Sequence, residues 1–405
     1  MSAIHTQTGR TSERGAILVQ VAISLLVLMG LSTFVIDYGV LWLSRGQAQD
    51  AADAGALAGA IARAYDDFAN PPAVNGKTDQ SAHKAAQAND VWNAAPTTQV
   101  SFNCPAGVAG SCVKVDVYRD GRFGSTTLPS LFGNLLNISS QGVWATATAR
   151  FANANTTNCM RPWAVADKWT HVVNPALEYD HWTKQGNNLV ELDPHDNYIP
   201  ADASGPGTGF HLGPPLPDDR GAEQILKVGN ASSDPITPGW FLAVDLPDGV
   251  GGYLTGGNNY RANIASCLGN PVRIGDYLPT ETGNMVGPTR QGFLDLVATD
   301  PNASWNGTTV AGSCAPTCAG TSPRIVPIAI FDIDDFQRRN ITNDWSVCPG
   351  GGSCIHVVNI LGYFVDHMQG QDVVGYLMTL PGEFVTGGPS VGGGASFLTV
   401  IQLVR

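Results

Sequence analysis

Apolar residues are concentrated in one uninterrupted run near the start of the chain. Residues 16–36 (AILVQVAISLLVLMGLSTFVI) contain no charged side chain. As an α-helix this run would be about 31 Å long, which matches the hydrocarbon core of a bilayer. A buried core helix or a secretory signal would also be apolar, but the apolar part of a signal is usually only about 7–15 residues long. The pattern therefore predicts one membrane-spanning helix.

The helix is expected to continue beyond the apolar run. Residues 46–65 are rich in alanine, the best helix former, and contain no proline. Small residues recur at positions 48, 52, 55, 59 and 62, so that they share one helical face. Such a face allows another backbone to approach closely; alternatively, an alanine-rich helix simply has small residues on every side. We expect one helix over residues 15–65, about 75 Å long.

The charges on the two sides of the apolar run predict its orientation. Arg10 and Arg14 precede the run, whereas Arg45, which follows it, lies among aspartates. Basic residues favour the cytoplasmic side of a membrane. We therefore expect a single-pass protein of the bacterial cell membrane, with its N-terminal tail in the cytoplasm. The C-terminal region would lie outside, in the periplasm or at the cell surface.

After a polar linker near residues 69–78, the pattern predicts a short helix at 80–92 and then mainly strands. Apolar segments typical of strands occur at 98–102, 113–118, 141–151, 240–246, 324–333, 355–365, 373–380 and 396–404. The last two flank a glycine-rich loop, so we expect them to form a hairpin or a meander. The predicted fold class is α+β, with a long N-terminal transmembrane helix followed by a β-rich extracytoplasmic region.

Four segments follow from this pattern. They are a cytoplasmic tail (1–15), a transmembrane and extended helix (16–68), a small α+β unit (79–152) and a β-rich, Gly/Pro-rich extracytoplasmic domain (153–405).

Composition excludes some classes of function. Apolar residues make up 43% of the 405, enough for a folded core, while the 47 glycines and 26 prolines indicate many turns. The formal net charge is −12, and only 14% of the residues are charged. Nucleic-acid binding requires clustered lysine and arginine, so we expect no nucleic-acid partner. The bilayer itself is the first partner that the sequence predicts.

The N-terminal residues resemble a known family. An Arg-Gly pair precedes the apolar run, an aspartate ends it, and a Gln-Asp-Ala-Ala-Asp-Ala-Gly-Ala-Leu-Ala stretch follows; the matching positions are Arg14, Gly15, Asp37, Gln49, Ala52, Asp53, Ala56, Leu57 and Ala58. This order is similar to the N-terminal module of the TadG-like proteins of Flp (Tad) pilus assembly. The resemblance covers about 50 residues. It implies a membrane-anchored, pseudopilin-like structural protein whose partners are proteins of a pilus or secretion machine.

One position departs from the pilin pattern. Pilin-like precursors usually have a glycine before the cleavage site and a glutamate five residues after it. Gly15 is a possible cleavage position, but the fifth residue after it is Gln20. Glutamine can form hydrogen bonds but carries no charge, and an ionised side chain inside a membrane is normally retained for a specific partner. We therefore expect a singly anchored or minor component rather than a major filament subunit.

The chain has eight cysteines, all beyond the predicted span: Cys104, Cys112, Cys159, Cys267, Cys314, Cys318, Cys348 and Cys354. An even number in an exported protein favours disulfides, although eight cysteines allow 105 pairings. Neighbours in sequence suggest 104–112, 314–318 and 348–354, which leaves 159–267. The alternative is a four-thiolate zinc site built from 314, 318, 348 and 354, whose spacings fit typical zinc motifs imperfectly.

Two motifs of common enzymes are missing from the sequence. It contains no His-Glu-x-x-His and no complete Gly-x-x-x-x-Gly-Lys-Ser/Thr phosphate-binding loop. We therefore predict no enzymatic activity, no cofactor and no resident metal ion. Two groups of residues remain open. The histidines 181, 195 and 211 lie among acidic residues and could bind a divalent cation, or they could belong to a solvated loop. The aspartates 332, 334 and 335 lie at the end of an apolar strand. They could be metal ligands, or they could be turn and cap residues. The alternative function is a membrane-tethered adhesin or a cation- or glycan-binding module.

Overall fold

The structure is a computed structural model that describes most of the chain from residue 11 to residue 404. Outside the description are residues 1–10, 66–71, 109–110, 131–132, 173–177, 203, 214–215, 229–234, 284, 315–320, 386–387, 390, 392–394 and 405, and the side chains of 11–14, 33, 135 and 136. The chain forms two compact units, Met1–Phe151 with Ile401–Arg405, and Ala152–Val400. The return of the last residues to the first unit has no signal in the sequence.

The first unit combines two helices with an antiparallel sheet. Its elements are α1 (Thr11–Tyr65), α2 (Lys77–Gln87), β1 (Thr97–Ser101), β2 (Ser111–Arg119), β3 (Leu128–Pro129), β4 (Ser140–Gln141) and β5 (Val143–Asn153), with 3-10 turns at Arg122–Gly124 and Gly133–Leu136. β2 pairs with β1 on one side and with β5 on the other. The predicted helix at 80–92 begins and ends earlier. Trp92 and Asn93 have positive φ angles, which a helix cannot contain.

The core of the first unit lies between the C-terminal half of α1, α2 and this sheet. Alternate valines of β2 (Val113, Val115 and Val117) are fully buried there. The facing positions of β5 are occupied mainly by alanines, and α1 contributes alanines as well. Small side chains on both surfaces allow helix and sheet to approach closely.

The second unit contains the remaining elements. They are β6 (Thr156–Thr157), β7 (Trp163–Ala166), β8 (Trp182–Gln185), β9 (Asn188–Glu191), β10 (Glu223–Val228), β11 (Trp240–Ala243), β12 (Leu246–Pro247), β13 (Tyr253–Leu254), α3 (Gly257–Ala265), β14 (Val272–Arg273), β15 (Tyr277–Pro279), α4 (Val286–Ala298), β16 (Ser304–Trp305), β17 (Val310–Ala311), β18 (Ile325–Phe331), α5 (Ile333–Thr342), a 3-10 turn (Pro349–Gly351), β19 (Cys354–Gln369), β20 (Asp372–Met378), β21 (Leu380–Pro381) and β22 (Leu398–Val404), whose last residues enter the first unit.

Six of these strands close into a barrel. The order around it is β19, β18, β7, β11, β10 and β20, and β20 pairs again with β19. β18 and β7 are parallel, as are β10 and β11, and the other four pairings are antiparallel. All six strands contribute buried side chains to one apolar cluster, to which α3 and α4 also contribute. In this closed arrangement each of the six strands has a paired neighbour on both sides.

The overall fold class is confirmed, but one predicted pairing is wrong. We expected the segments at 373–380 and 396–404 to form a hairpin or a meander, in which neighbouring strands are antiparallel. Instead β20 pairs with β19 through a tight turn in which Gly370 has φ 68°, and β22 pairs in parallel with β21. A turn between adjacent strands closes a much shorter loop than the glycine-rich segment does.

Three helices of the second unit were not predicted. α3 and α4 begin at glycine- and proline-containing sequences, which read as loops. α5 begins where the apolar segment at 324–333 ends, because the side chain of Asp332 accepts a hydrogen bond from the backbone N–H of Asp335 at 2.9 Å. This N-cap ends β18 at Phe331 and starts the helix.

Candidate functional site

The apolar residues at 15–36 of α1 form an exposed surface. Every described side chain from residue 15 to residue 36 is exposed. Among the described residues, α1 is the one helix long and apolar enough to span a membrane, with a mean hydropathy of 2.3 in its most apolar window. An exposed apolar surface of this size is unfavourable in water. The surface is therefore consistent with anchoring in a membrane.

Three aromatic residues mark the end of this exposed half. Phe34, Tyr38 and Trp42 are exposed and lie four residues apart, and successive ring centroids are 5.6 and 6.5 Å apart. Aromatic side chains are enriched where a membrane helix meets the headgroups. This set was not predicted from the sequence, although a spacing of four residues places side chains on one face of a helix.

The small residues of the second half of α1 are packed within the unit. Positions 48, 52, 55, 59 and 62 are all buried, as the predicted face requires. A Cβ atom added to Gly55 would lie 2.8 Å from Ala86 Cβ and 2.9 Å from the Ala82 carbonyl oxygen, both in α2. One added to Gly59 would lie 2.7 Å from a Val113 methyl group. The backbone that approaches this face is therefore the chain's own.

Asp37 anchors a loop to the end of the apolar span. Its side chain is buried, and Oδ2 accepts hydrogen bonds from the Ser130 hydroxyl at 2.8 Å and from the Gly133 backbone N–H at 2.6 Å. Hydrogen bonds to an ionised acceptor are roughly twice as strong as neutral ones. This aspartate of the family motif thus fixes the folded unit at the point where the exposed apolar surface ends.

The remaining motif residues also serve packing. Gln49 Nε2 donates to Asp53 Oδ1 at 2.8 Å and to the Thr146 carbonyl in β5 at 3.2 Å. Ala52 and Ala56 are fully buried, whereas Leu57 and Ala58 are partly buried beside them. The polar members therefore tie α1 to the sheet, and the apolar members fill the core.

The possible processing position lies at the start of the exposed half. Gly15 has no atom near an added Cβ, and Gln20 is exposed. The side chain of Arg14 lies outside the described residues. Both described positions are sterically accessible within this chain.

Disulfides connect most of the cysteines. The pairs are Cys104–Cys112, Cys159–Cys267 and Cys348–Cys354, with Cα atoms 4.6 to 5.6 Å apart. Cys314 is also disulfide-bonded, and Cys318 lies outside the described residues. The alternative zinc site is wrong, because three of its proposed ligands are oxidised.

Other candidate residues of the second unit are dispersed. The metal-ligating atoms of His181, Glu191 and His195 lie close together, whereas buried His211 is not part of that group. Burial lowers the pKa of His211. The carboxylate of Asp202 accepts hydrogen bonds within its own loop.

The strand-end aspartates divide among three roles. Asp332 caps α5, Asp335 pairs with Arg339 at 2.7 Å, and Asp334 contacts His181. At the end of the neighbouring strand β7, Asp167 is fully buried and lines a cavity of about 330 Å³. Burial raises the pKa of Asp167 to about 7 and that of Asp332 to about 6. Capping of α5 therefore explains the position of Asp332. The carboxyl groups of Asp167 and Asp332 can both exchange protons near neutral pH.

Comparison with known families agrees with this description. Residues 15–64 match the model of the family described as putative Flp pilus-assembly TadE/G-like. The family includes both TadE-like and TadG-like proteins, and the match confirms the resemblance of this segment to it. No curated protein and no solved structure matches the chain. The module supports a role in Tad pilus assembly.

Proposed function

We propose that the protein is a membrane-anchored, pseudopilin-like structural component of an Flp/Tad pilus-assembly or secretion machine. The observation that carries the proposal is the division of the matched segment, residues 15–64. Its first half is an unpacked apolar helix, and its second half is the centre of a folded unit. Because α1 is continuous, the helix can both anchor the chain and hold the first unit at the membrane surface.

A substitution of the span tests this function. In a strain that lacks the gene, the full chain should restore piliation. A variant in which residues 16–36 are replaced by an unrelated apolar helix of equal length should insert but fail to restore it, because contacts with neighbouring membrane helices depend on shape. Normal piliation without the gene would refute the proposal. Full restoration of piliation by the variant with the replaced helix would show that the span serves only as an anchor. That result would favour the alternative function, a membrane-tethered binding module.

Direct contact can be tested with a photo-crosslinking residue. Leu26 lies in the exposed span, and Val74, which is also exposed, lies outside α1 and serves as the matched control. We expect crosslinks to pilus-machinery proteins from position 26 and far fewer from position 74. Equal labelling at both positions would contradict a specific role of the span.

The orientation is part of the proposal. We infer that residues 1–15 are cytoplasmic and that everything beyond about residue 45 is outside, in agreement with the basic residues before the span and the disulfides after it. Protease added to spheroplasts should digest the C-terminal region and spare the tail. Protection of the C-terminal region would overturn this orientation.

Processing after Gly15 is the second testable part. If cleavage occurs, Gln20 takes the place of the usual glutamate, and its amide cannot neutralise a terminal ammonium group. Gln20→Glu should then increase self-association or incorporation into filaments, whereas Gln20→Leu should change little. N-terminal sequencing and crosslinking of both variants measure this. Abundant wild-type homopolymer, or loss of function in Gln20→Leu, would contradict a minor role.

The proposal assigns no catalytic step to the protein. In this proposal the protein anchors itself in the membrane, packs against neighbouring membrane helices and presents its extracytoplasmic units to partners. If the isolated C-terminal region bound a surface glycan or another cell component while piliation did not require the chain, the adhesin-like alternative would replace the structural role.

A further inference from the structure

A hairpin of the second unit brings two histidines and a glutamate together. β8 pairs with β9 so that Trp182 lies opposite Glu191, and the Leu192 backbone N–H donates to the His181 carbonyl at 2.9 Å. The side chains of His181 and Glu191 meet at the base of the hairpin, where Nε2 and Oε1 are 3.2 Å apart. His195 follows four residues after Glu191, and its ring stacks on that of His181 with centroids 4.3 Å apart.

The hydrogen bonds at Nδ1 determine where each ring carries its proton. His195 Nδ1 lies 2.9 Å from the Leu192 carbonyl oxygen, and His181 Nδ1 lies 2.6 Å from Asp334 Oδ1. A carbonyl and a carboxylate only accept hydrogen bonds, so Nδ1 is the donor in both rings. In the neutral imidazole, Nε2 is then left with a free lone pair.

Both Nε2 atoms lie near the same carboxylate oxygen. His181 Nε2 lies 3.2 Å from Glu191 Oε1, and His195 Nε2 lies 3.5 Å from it. The ligand atoms of the three side chains all lie within 4.8 Å of one another. When Nε2 carries a proton, the ring can donate it to Glu191, as the 3.2 Å contact of His181 allows; when Nε2 is unprotonated, a cation at the centre can hold the three ligand atoms together.

The distances suit a small divalent ion. Four tetrahedral ligands about 2.0–2.1 Å from zinc lie about 3.3 Å from each other. The distances from Glu191 Oε1 to the two Nε2 atoms, 3.2 and 3.5 Å, are close to this value. Two imidazoles and one carboxylate form a common ligand set for zinc with one position open. Glu191 is 53% exposed and His195 35% exposed, so ions and water can reach the group from solvent.

The surroundings orient His181 in the way that metal sites require. Asp334 Oδ1, which accepts from His181 Nδ1, also accepts from Trp182 Nε1 at 2.7 Å and from the Tyr179 hydroxyl at 2.9 Å. Metal-binding histidines commonly donate their other ring nitrogen to such a fixed carboxylate or to a backbone carbonyl. Here His181 has a carboxylate partner, Asp334, and His195 has a backbone carbonyl partner, that of Leu192.

We propose that His181, Glu191 and His195 bind one divalent transition-metal ion of the zinc class, with Asp334 as a positioning residue for His181. This site replaces the expectation, from the sequence, that the chain has no resident metal. It is independent of the pilus-assembly role, since it concerns only residues of the second unit.

The experiment titrates zinc into the full chain. The protein is purified in detergent without a polyhistidine tag and stripped with a chelator, and binding is measured by calorimetry. We expect one zinc ion per chain, with an affinity at least tenfold lower in Glu191→Gln and in His195→Ala. Asp334→Asn should lower the affinity 10- to 100-fold, as loss of an orienting carboxylate typically does. Zinc should also raise the melting temperature of the wild type.

The matched control is His367→Ala. His367 Nδ1 lies 3.0 Å from the carboxylate of the adjacent Asp366 on the surface, and among the described residues this pair is not part of a group of three metal-ligating side chains. Its zinc affinity should equal that of the wild type. X-ray absorption should show nitrogen ligands at about 2.0–2.1 Å. Absence of stoichiometric binding at micromolar zinc would overturn the site, as would equal losses in His367→Ala and His195→Ala. Circular dichroism of each variant establishes that the fold is retained.

Discussion

Gly55→Ala tests whether the small-residue face of α1 is required for packing within the first unit. The added methyl group would lie 2.9 Å from the Ala82 carbonyl oxygen, a backbone atom of α2, and 2.8 Å from Ala86 Cβ. Neither atom can rotate away, so α2 would have to move. Gly46→Ala is the matched control, because Gly46 lies in the same helix with no atom near an added Cβ.

The control separates the packing effect from helix propensity. Alanine is more favourable than glycine in a helix by about 1 kcal/mol, and both variants gain this amount. Overpacking a core typically costs about 1–3 kcal/mol. The difference between Gly55→Ala and Gly46→Ala should therefore be about 1–3 kcal/mol, which corresponds to an opening equilibrium about 5- to 150-fold larger.

Hydrogen exchange of the α2 amides measures this opening in the detergent-solubilised chain, because exchange rates follow the population of the open state when closing is fast. We expect α2 to exchange faster in Gly55→Ala and at an unchanged or slower rate in Gly46→Ala. Equal protection in the two variants would show that α2 does not pack closely on this face and would refute the reasoning.

Three further predictions follow from polar and covalent contacts. Asp37→Ala leaves the Ser130 hydroxyl and the Gly133 N–H without their acceptor, which should cost about 1–3 kcal/mol and accelerate exchange in the turn Gly133–Leu136; unchanged exchange would contradict this anchor. Removing Cys159–Cys267 should lower the free energy of unfolding of the second unit by about 4.8 kcal/mol, against about 2.2 kcal/mol for Cys348–Cys354, because the closed loops span 108 and 6 residues; equal urea midpoints of the two double-serine variants would refute the loop argument. Burial and the neighbouring Glu281 raise the pKa of Asp245 to about 8, so its proton stays bound in the folded state after the unfolded chain has released it. Stability should then fall by up to about 1.4 kcal/mol per pH unit between about pH 5 and 8, and Asp245→Asn should weaken this dependence; an unchanged pH profile of the melting temperature would exclude the effect.

The sequence predicted those parts of the structure that depend on local pattern. The alanine face and the valine alternation of β2 each have a period that identifies a helix or a strand, and the apolar run is identified by its length. The barrel could not be predicted in this way, because its closure depends on pairings such as β7 with β18, whose residues are far apart in sequence. The histidine–glutamate group was considered only as part of an acidic loop, since the register that places Trp182 opposite Glu191 cannot be read from composition.

The buried small-residue face of α1 serves folding of the first unit, whereas its exposed surface is accessible to partners. The family match ends at residue 64, but the elements that cover the small-residue face, α2 and β2, lie beyond it. The matched segment therefore cannot bury that face by itself, and in this chain the face is not free to bind another protein. A partner that contacts α1 must use the exposed span or exposed side chains farther along, such as Trp42 and Ile61. Substitutions on the buried face should act first on the stability of the first unit, and substitutions on the exposed surface should act on assembly without unfolding it.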